Sequence, residues 1–293
     1  MEFNLTKPGM RLFAIVLLAV WPLLAGASGD LEQARQLYHA TDYNSSLKIL
    51  ESIQPKDGPV LFLMGRNHYM QGDYKKAAES LEKAVAADPS NAEYELWLGR
   101  ACGRRAETAS PFTAAPHAIK ARQHFERAVQ LNPRSMEALS DLFEYYLEAP
   151  KFMGGGMDKA AGVAAQMASV NAVEGQWAQA RLAESHKEFD SAEQHLRVAA
   201  SMAPQEVGRL IDLARFLSKQ GRYQESDQSF KKAEKIAPNS PQLMYARADT
   251  YIQQGRNLDT ARKLLERYLA AQLTPDDPPR ADAQKLLKKA SGG

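Results

Sequence analysis

Small and large apolar residues recur along the chain at a spacing that fits one face of a helix. Tyr74, Ala77, Leu81 and Ala84 follow one another three and four positions apart. Phe189, Ala192, Leu196 and Ala199 repeat the arrangement, as do Tyr223, Ser226, Phe230 and Ala233. Residues so spaced share a helix face, whereas a half-buried strand would alternate every second residue. Proline stops these helices at Pro89, Pro133, Pro204 and Pro238, because it cannot donate the ladder hydrogen bond and disfavours helical geometry in the residue before it. A helix precedes each of them, marked by a small residue at Ala34, Gly65, Gly99, Ala180, Ala214 and Ala248. The second helices answer with Ala77, Ala121, Ala161, Ala192, Ser226 and Ala261, then with Leu50, Leu81, Phe125, Leu196, Phe230 and Leu265. A small side chain on one helix lets two backbones approach to about 8–10 Å.

The pattern has a period. Tyr223 stands 34 residues after Phe189, and Pro238 stands 34 after Pro204. On these residues the chain resembles the tetratricopeptide repeat family, whose unit is a 34-residue helix–turn–helix. The resemblance covers nearly the whole chain after the first thirty residues. It implies an all-α, right-handed α-solenoid of about six to seven repeats with a C-terminal capping helix. The expected units are 27–57, 58–91, 92–135, 136–172, 173–206, 207–240 and 241–275, within a solenoid of 28–275. Residues 276–293 form the cap and tail, with a helix over about Pro279–Ala290 to cover the last apolar face. Asp276 and Asp277 suit its N-terminal side, and Lys285, Lys288 and Lys289 its C-terminal end.

Two units depart from the period. Pro133 lies 44 residues after Pro89, which places ten extra residues in a loop around Arg104–His117, broken by Pro111 and Pro116. The fourth unit carries Phe143 where a small residue belongs, Ala165 in place of a large one, and a loop through Gly154, Gly155 and Gly156. Those glycines do not make a phosphate loop, because no strand precedes them and no Gly-Lys-Ser/Thr follows. They predict a tight turn with positive φ, and Asp158 as the cap of the next helix. Similar glycine-rich loops occur in exported bacterial tetratricopeptide proteins. A weaker resemblance to tetratricopeptide regulators of microtubule dynamics fits the N-terminus badly.

The first residues read differently from the rest. Lys7 and Arg11 precede an apolar run from Leu12 to Leu24, and small residues follow to Gly29. This is the layout of a secretory signal peptide over residues 1–27, with cleavage after Ala27, and the run is shorter than the roughly 20 residues of a membrane span. The expected location is therefore periplasmic or secreted, with membrane anchorage by an uncleaved N-terminus as the alternative.

Composition narrows the chemistry. Lys and Arg number 37 against 35 Asp and Glu, a balance in which nothing argues for nucleic acid or an anionic membrane surface, and no nucleic-acid partner is expected. Cys102 is the single cysteine, so neither an intrachain disulfide nor a thiolate metal site can form. The six histidines, His39, His68, His117, His124, His186 and His195, form no metal-binding spacing. No catalytic, cofactor or metal site is expected, and the reading is a non-enzymatic protein-binding scaffold in envelope or secreted-protein assembly. The alternatives are an accessory factor of an envelope enzyme complex and, remotely, a hydrolase using Cys102, His117 or His124 in the inserted segment.

In the family the first helix of each unit lines the concave face. The resemblance therefore places a partner-binding groove along Arg35, Arg66, Arg100, Arg181 and Arg215, with Glu144 and Asp249 as acidic exceptions in that row. Beside it run Phe62, Leu96, Trp177, Ile211 and Tyr245. Arginine forks pair bidentately with carboxylates, so the expected partners are protein or peptide segments bearing acidic and apolar groups. The competing expectation is that these arginines pair with acidic residues of adjacent repeats.

Overall fold

The structure, a computed structural model, describes residues 21–292. Of the expected export segment, residues 1–20 lie outside the described residues. The described chain is helical throughout, with no strand. The helices are α1 (Trp21–His39), α2 (Tyr43–Ser52), α3 (Gly58–Met70), α4 (Tyr74–Ala87), α5 (Ala92–Thr108), α6 (Pro111–Leu131), α7 (Met136–Glu148) and α8 (Met157–Val170). They continue with α9 (Ala172–Ser185), α10 (Phe189–Met202), α11 (Val207–Lys219), α12 (Tyr223–Ile236), α13 (Pro241–Gln253), α14 (Leu258–Ala270) and α15 (Arg280–Ala290). A 3-10 turn, Lys151–Met153, stands between α7 and α8. Consecutive helices pair and the pairs stack, which is the α-solenoid the periodicity predicts.

Small-residue contacts set the stacking. A Cβ on Gly65 would stand 2.5 Å from Leu81, and one on Gly99 would stand 2.6 Å from the Phe125 ring. Both distances lie far inside van der Waals contact, so the second helix can press its large residue onto the first only where the side chain is missing. Ser46 and Ser226 occupy the position filled by Ala77 elsewhere and stay fully buried. Each donates its hydroxyl across the pair, Ser46 to the Ala34 carbonyl at 2.8 Å and Ser226 to that of Ala214 at 2.7 Å. That bond offsets the cost of burying a hydroxyl.

The fourth unit keeps the contact with the sizes exchanged. Phe143 is fully buried on α7, and on α8 the residues facing inward are Ala160, Ala164 and Met167. Ala161, expected at the crossing, is exposed, as are Ala165 and Ala168. The register differs by one residue because the glycine loop, not an aromatic at the usual place, leads into α8. A large residue on the first helix thus meets a small one on the second, and total volume is kept.

The ten extra residues of the third unit are not a loop. They lengthen both helices, so that α5 and α6 run 17 and 21 residues with only Ala109 and Ser110 between them. Pro111 stands at the start of α6, where its missing N–H has no partner to lose, and Pro116 sits inside the helix at the cost of one ladder bond. In the next connection Gly154 takes φ 93°, as a tight turn requires. Asp158 does not cap α8; it lies in the first turn, where its charge still suits the helix dipole.

At the C-terminus α15 packs on α14 and α13 and covers the last cluster around Tyr251, Leu265 and Tyr268. Asp277 binds Thr274 rather than the amides of α15, and Asp282 supplies the acid in the first turn. The two ends of the array meet. Residues of α2 and α3 share a cavity of about 260 Å³ with the segment leading into α15.

Candidate functional site

Most arginines of the expected row are already paired. The Arg66 guanidinium stacks between the rings of Tyr38 and Trp97, 4.7 and 4.5 Å from their centres, and reaches Glu93 at 3.6 Å. Arg100 lies over Trp97 and binds Asp141 at 2.6 Å and Glu137 at 3.1 Å. Arg181 grips Glu144 with two bonds of 3.0 and 2.8 Å and also touches Glu148 and Glu184. Among the described residues Arg35 pairs only with Glu32 on its own helix, at 3.9 Å, and both are well exposed. Arg215 is half-buried and has no ion pair among the described residues.

The pairs of Arg66, Arg100 and Arg181 join neighbouring units: α3 to α5, α5 to α7, and α9 to α7. Arg209 continues the series from α11 to Glu174 on α9 at 3.1 Å. Arg100 and Arg181 are hydrogen-bonded to these carboxylates, whereas Arg66 meets Glu93 as an ion pair and keeps a buried Nε without a hydrogen-bond partner; the pairs stitch neighbouring units together.

The apolar row needs a correction. Phe62, Leu96 and Ile211 are buried in the cores between helix pairs, where they cannot meet a partner. Their position, four residues before the arginine, turns toward the next helix pair. Trp177 and Tyr245 are half-buried, packed on Phe143 and Tyr268 respectively.

A concavity lies where the two insertions meet. A cavity of about 430 Å³ is enclosed by α5, α6, α7 and the turn after α7, with Tyr69 of α3 at one side. Its apolar lining includes Phe125, Tyr145 and Met153. Four carboxylates, those of Glu107, Asp141, Glu144 and Glu148, face the guanidinium groups of Arg100 and Arg104, and Arg181 binds Glu144 and Glu148 from α9. Arg104 is held by Glu107 at 2.5 Å and by the Tyr74 hydroxyl at 2.9 Å. Burial raises the pKa of Asp141 in spite of Arg100, and burial with the neighbouring Glu144 charge raises that of Glu148. Acidic neighbours add to the effect of burial, Glu137 and Glu144 at Asp141 and Glu144 at Glu148, while Arg100 and Arg181 oppose it.

The turn that closes the cavity is held firmly. Tyr145 donates its hydroxyl to the Met153 carbonyl at 2.9 Å, and Gly156 N–H binds the Tyr146 carbonyl at 2.8 Å. Phe152 on this turn is 76% exposed, and Phe112 at the start of α6 is 95% exposed. Two large aromatics in water on the two inserted elements are what a contact surface offers.

Asp212 on α11 gives a pH test. Burial raises its carboxyl to about 6 although Arg209 stands 3.2 Å away. A carboxyl easier to protonate folded than unfolded destabilises the protein once ionised, so stability falls as pH rises from the unfolded value near 4 to about 6. Asp212→Asn should therefore raise the melting temperature at pH 8, with the gain vanishing below about pH 4. Melting curves of both proteins from pH 8 to 4 check this; an equal difference at every pH would contradict it.

Cys102 is no nucleophile here. It is buried, and burial pushes its thiol up to about 11, so the thiolate is scarce at neutral pH. His124 is engaged with the buried Glu95 at 2.7 Å. Among the described residues no group of three His, Cys, Asp or Glu could hold a metal.

Family models agree with the repeat geometry. Residues 58–91 match one tetratricopeptide repeat model and residues 211–278 match another. The chain carries tetratricopeptide repeats. A tetratricopeptide repeat protein from Parabacteroides merdae superposes with a TM-score of 0.58, at 15% identity over 91% of this chain and 99% of that one. A thermophilic tetratricopeptide protein of Thermus thermophilus gives 0.51, at 21% identity over 68% of this chain and 98% of the other. At such identities the likeness is one of fold. No curated protein matches the sequence. Tetratricopeptide arrays generally serve as protein-interaction scaffolds and are typically not enzymes.

Proposed function

We propose that this tetratricopeptide array is an exported scaffold that captures a segment of another protein by a basic, apolar-stemmed side chain placed in the cavity between the third and fourth units. The observation that carries the reading is the lining of that cavity: the carboxylates of Glu107, Asp141, Glu144 and Glu148 gather there against three guanidinium groups, those of Arg100, Arg104 and Arg181, with Tyr69, Tyr145, Phe125 and Met153 around them. A lysine or arginine fills such a site with its stem on the apolar wall and its charge among the acids. The acidic preference suggested by the arginine row is weakened, because Arg100 and Arg181 are hydrogen-bonded to the protein's own carboxylates and Arg66 is paired with Glu93.

Export rests on the N-terminal layout of Lys7, Arg11, the apolar run and the small residues to Ala27. A role in envelope or secreted-protein assembly follows from it. Among the described residues no helix is long and apolar enough to cross a membrane. N-terminal sequencing of the protein from its host should begin at Ser28. An intact Met1 would replace export by anchorage and make the accessory-factor reading the stronger one.

The cavity is tested with Glu107→Lys and Glu148→Lys together. Both side chains are mostly exposed, so reversal should leave the melting temperature nearly unchanged. A photocrosslinking residue at Ala106 should trap a partner in the host, and the double reversal should reduce that product at least tenfold. Trapping that is indifferent to the reversal, or equally strong from Lys232 on α12, would contradict the assignment.

A further inference from the structure

In a solenoid each repeat touches only its neighbours, so the two ends ordinarily have nothing to do with each other. Here they share a cavity. Tyr43, Asn44 and Gln71 line it from the first two units, and Leu273, Pro278 and Arg280 line it from the segment before α15. The intervening array must therefore bend through a full turn to bring its ends together.

The two sides of this joint are each well fixed. On the C-terminal side Leu273 is buried in the last cluster, and Thr274 is bound through its N–H and hydroxyl to Asp277 at 2.9 and 3.0 Å. The Tyr268 hydroxyl donates to the Pro278 carbonyl, and Arg280 donates to the carbonyls of Leu269 and Ala271. On the N-terminal side Gln71 donates to Asn44 at 2.7 Å, and Asp42 accepts from the Ser45 amide. Every one of these bonds stays on its own side. Among the described residues no hydrogen bond or ion pair crosses the seam. Neighbouring units, by contrast, are joined by buried cores and by the Arg66, Arg100, Arg181 and Arg209 pairs.

We infer that the array is a closed ring whose seam, between α2–α3 and the segment Leu273–Arg280, is its gate. It is shut in the free protein and is the first joint to part. A chain terminus can enter the interior along the ring axis. An internal loop of a folded partner can enter only when the seam opens. The inference stands on the seam alone and does not depend on the cavity between the third and fourth units.

Spin labels test it in the full chain with Cys102→Ala. One pair is placed at Lys48 and Gln284, exposed residues one turn beyond the seam on each side. The reference pair is at Lys83 and Arg127, on α4 and α6. Pulsed electron resonance should give one narrow seam distance below about 35 Å. Helices spaced about 8–10 Å in an open arc would hold the ends tens of ångströms farther apart. In urea the seam distance should lengthen while ellipticity and the reference distance stay native, and Arg280→Ala should move that opening to lower urea. A long seam distance in water, loss of the seam only together with helicity, or no shift with Arg280→Ala would overturn the inference.

Discussion

Phe143→Ala should destabilise the protein by about 3–5 kcal/mol, and adding Ala164→Leu should restore a good part of the loss. Phe143 is fully buried on α7, at the place where Gly65 and Gly99 stand on α3 and α5. Truncating it leaves a cavity in the core shared with Trp97, Leu142 and Met167. Ala164 occupies on α8 the place of Leu81 and Phe125, so leucine there rebuilds the arrangement of the ordinary units. Alone, Ala164→Leu overpacks the same space and should cost about 1–3 kcal/mol. The double mutant should be less damaged than the sum of the singles, with a coupling of about 1–3 kcal/mol. Melting temperatures of the four proteins read it, and additivity would show that the two positions do not share one contact.

The three consecutive glycines should respond in a graded way. A Cβ on Gly155 would lie 1.8 Å from the Ala149 carbonyl oxygen and 2.6 Å from its carbon. Both are backbone atoms, so the turn must be rebuilt. Gly155→Ala should therefore cost about 3 kcal/mol or release the turn from α7 altogether. Gly154→Ala meets a left-handed φ of 93° and the Arg122 side chain, which can move, and should cost about 1 kcal/mol. Gly156 has nothing within 4 Å of a Cβ and an extended backbone, so Gly156→Ala should be close to neutral. Because this turn walls the cavity, Gly155→Ala should also weaken partner capture more than its stability loss explains. Thermal melts beside crosslinking yields measure both; three equal responses would contradict the turn geometry.

The fold is legible in the sequence because it rests on spacing. Ala77, Leu81 and Ala84 identify their helix face whatever surrounds them, and a proline ends a helix for local reasons. The fourth unit departs from expectation for a reason equally local. Without an aromatic like Tyr74 at the start of α8, alanines at 160, 161, 164, 165 and 168 offer two registers, and only packing against Phe143 chooses between them. The insertion after Arg104 reads as a loop because two prolines stand in it. Pro111 falls at the start of the helix, where proline is suited, and α6 carries Pro116 at the loss of a single ladder bond.

The site is less legible than the fold. The arginine row is visible as a repeat position, but which carboxylates it meets depends on residues up to 41 positions away, as between Arg100 and Asp141. Asp141, Glu148 and Tyr69 carry no motif. They become neighbours because α5 and α6 are longer than their counterparts and because the turn at Pro150–Met153 folds back over α7. The one available signal is Glu144, acidic at a position where most units show arginine.

The charge of the captured segment is the point on which the functional account turns. Two peptides with the same apolar residues, one carrying lysines and one carrying glutamates, would be titrated into the protein by calorimetry. The account predicts that the lysine peptide binds, weakens at high salt, and loses at least tenfold in affinity when Glu107 and Glu148 are both changed to lysine. Tighter binding of the glutamate peptide, or lysine-peptide binding that ignores the double change, would contradict it.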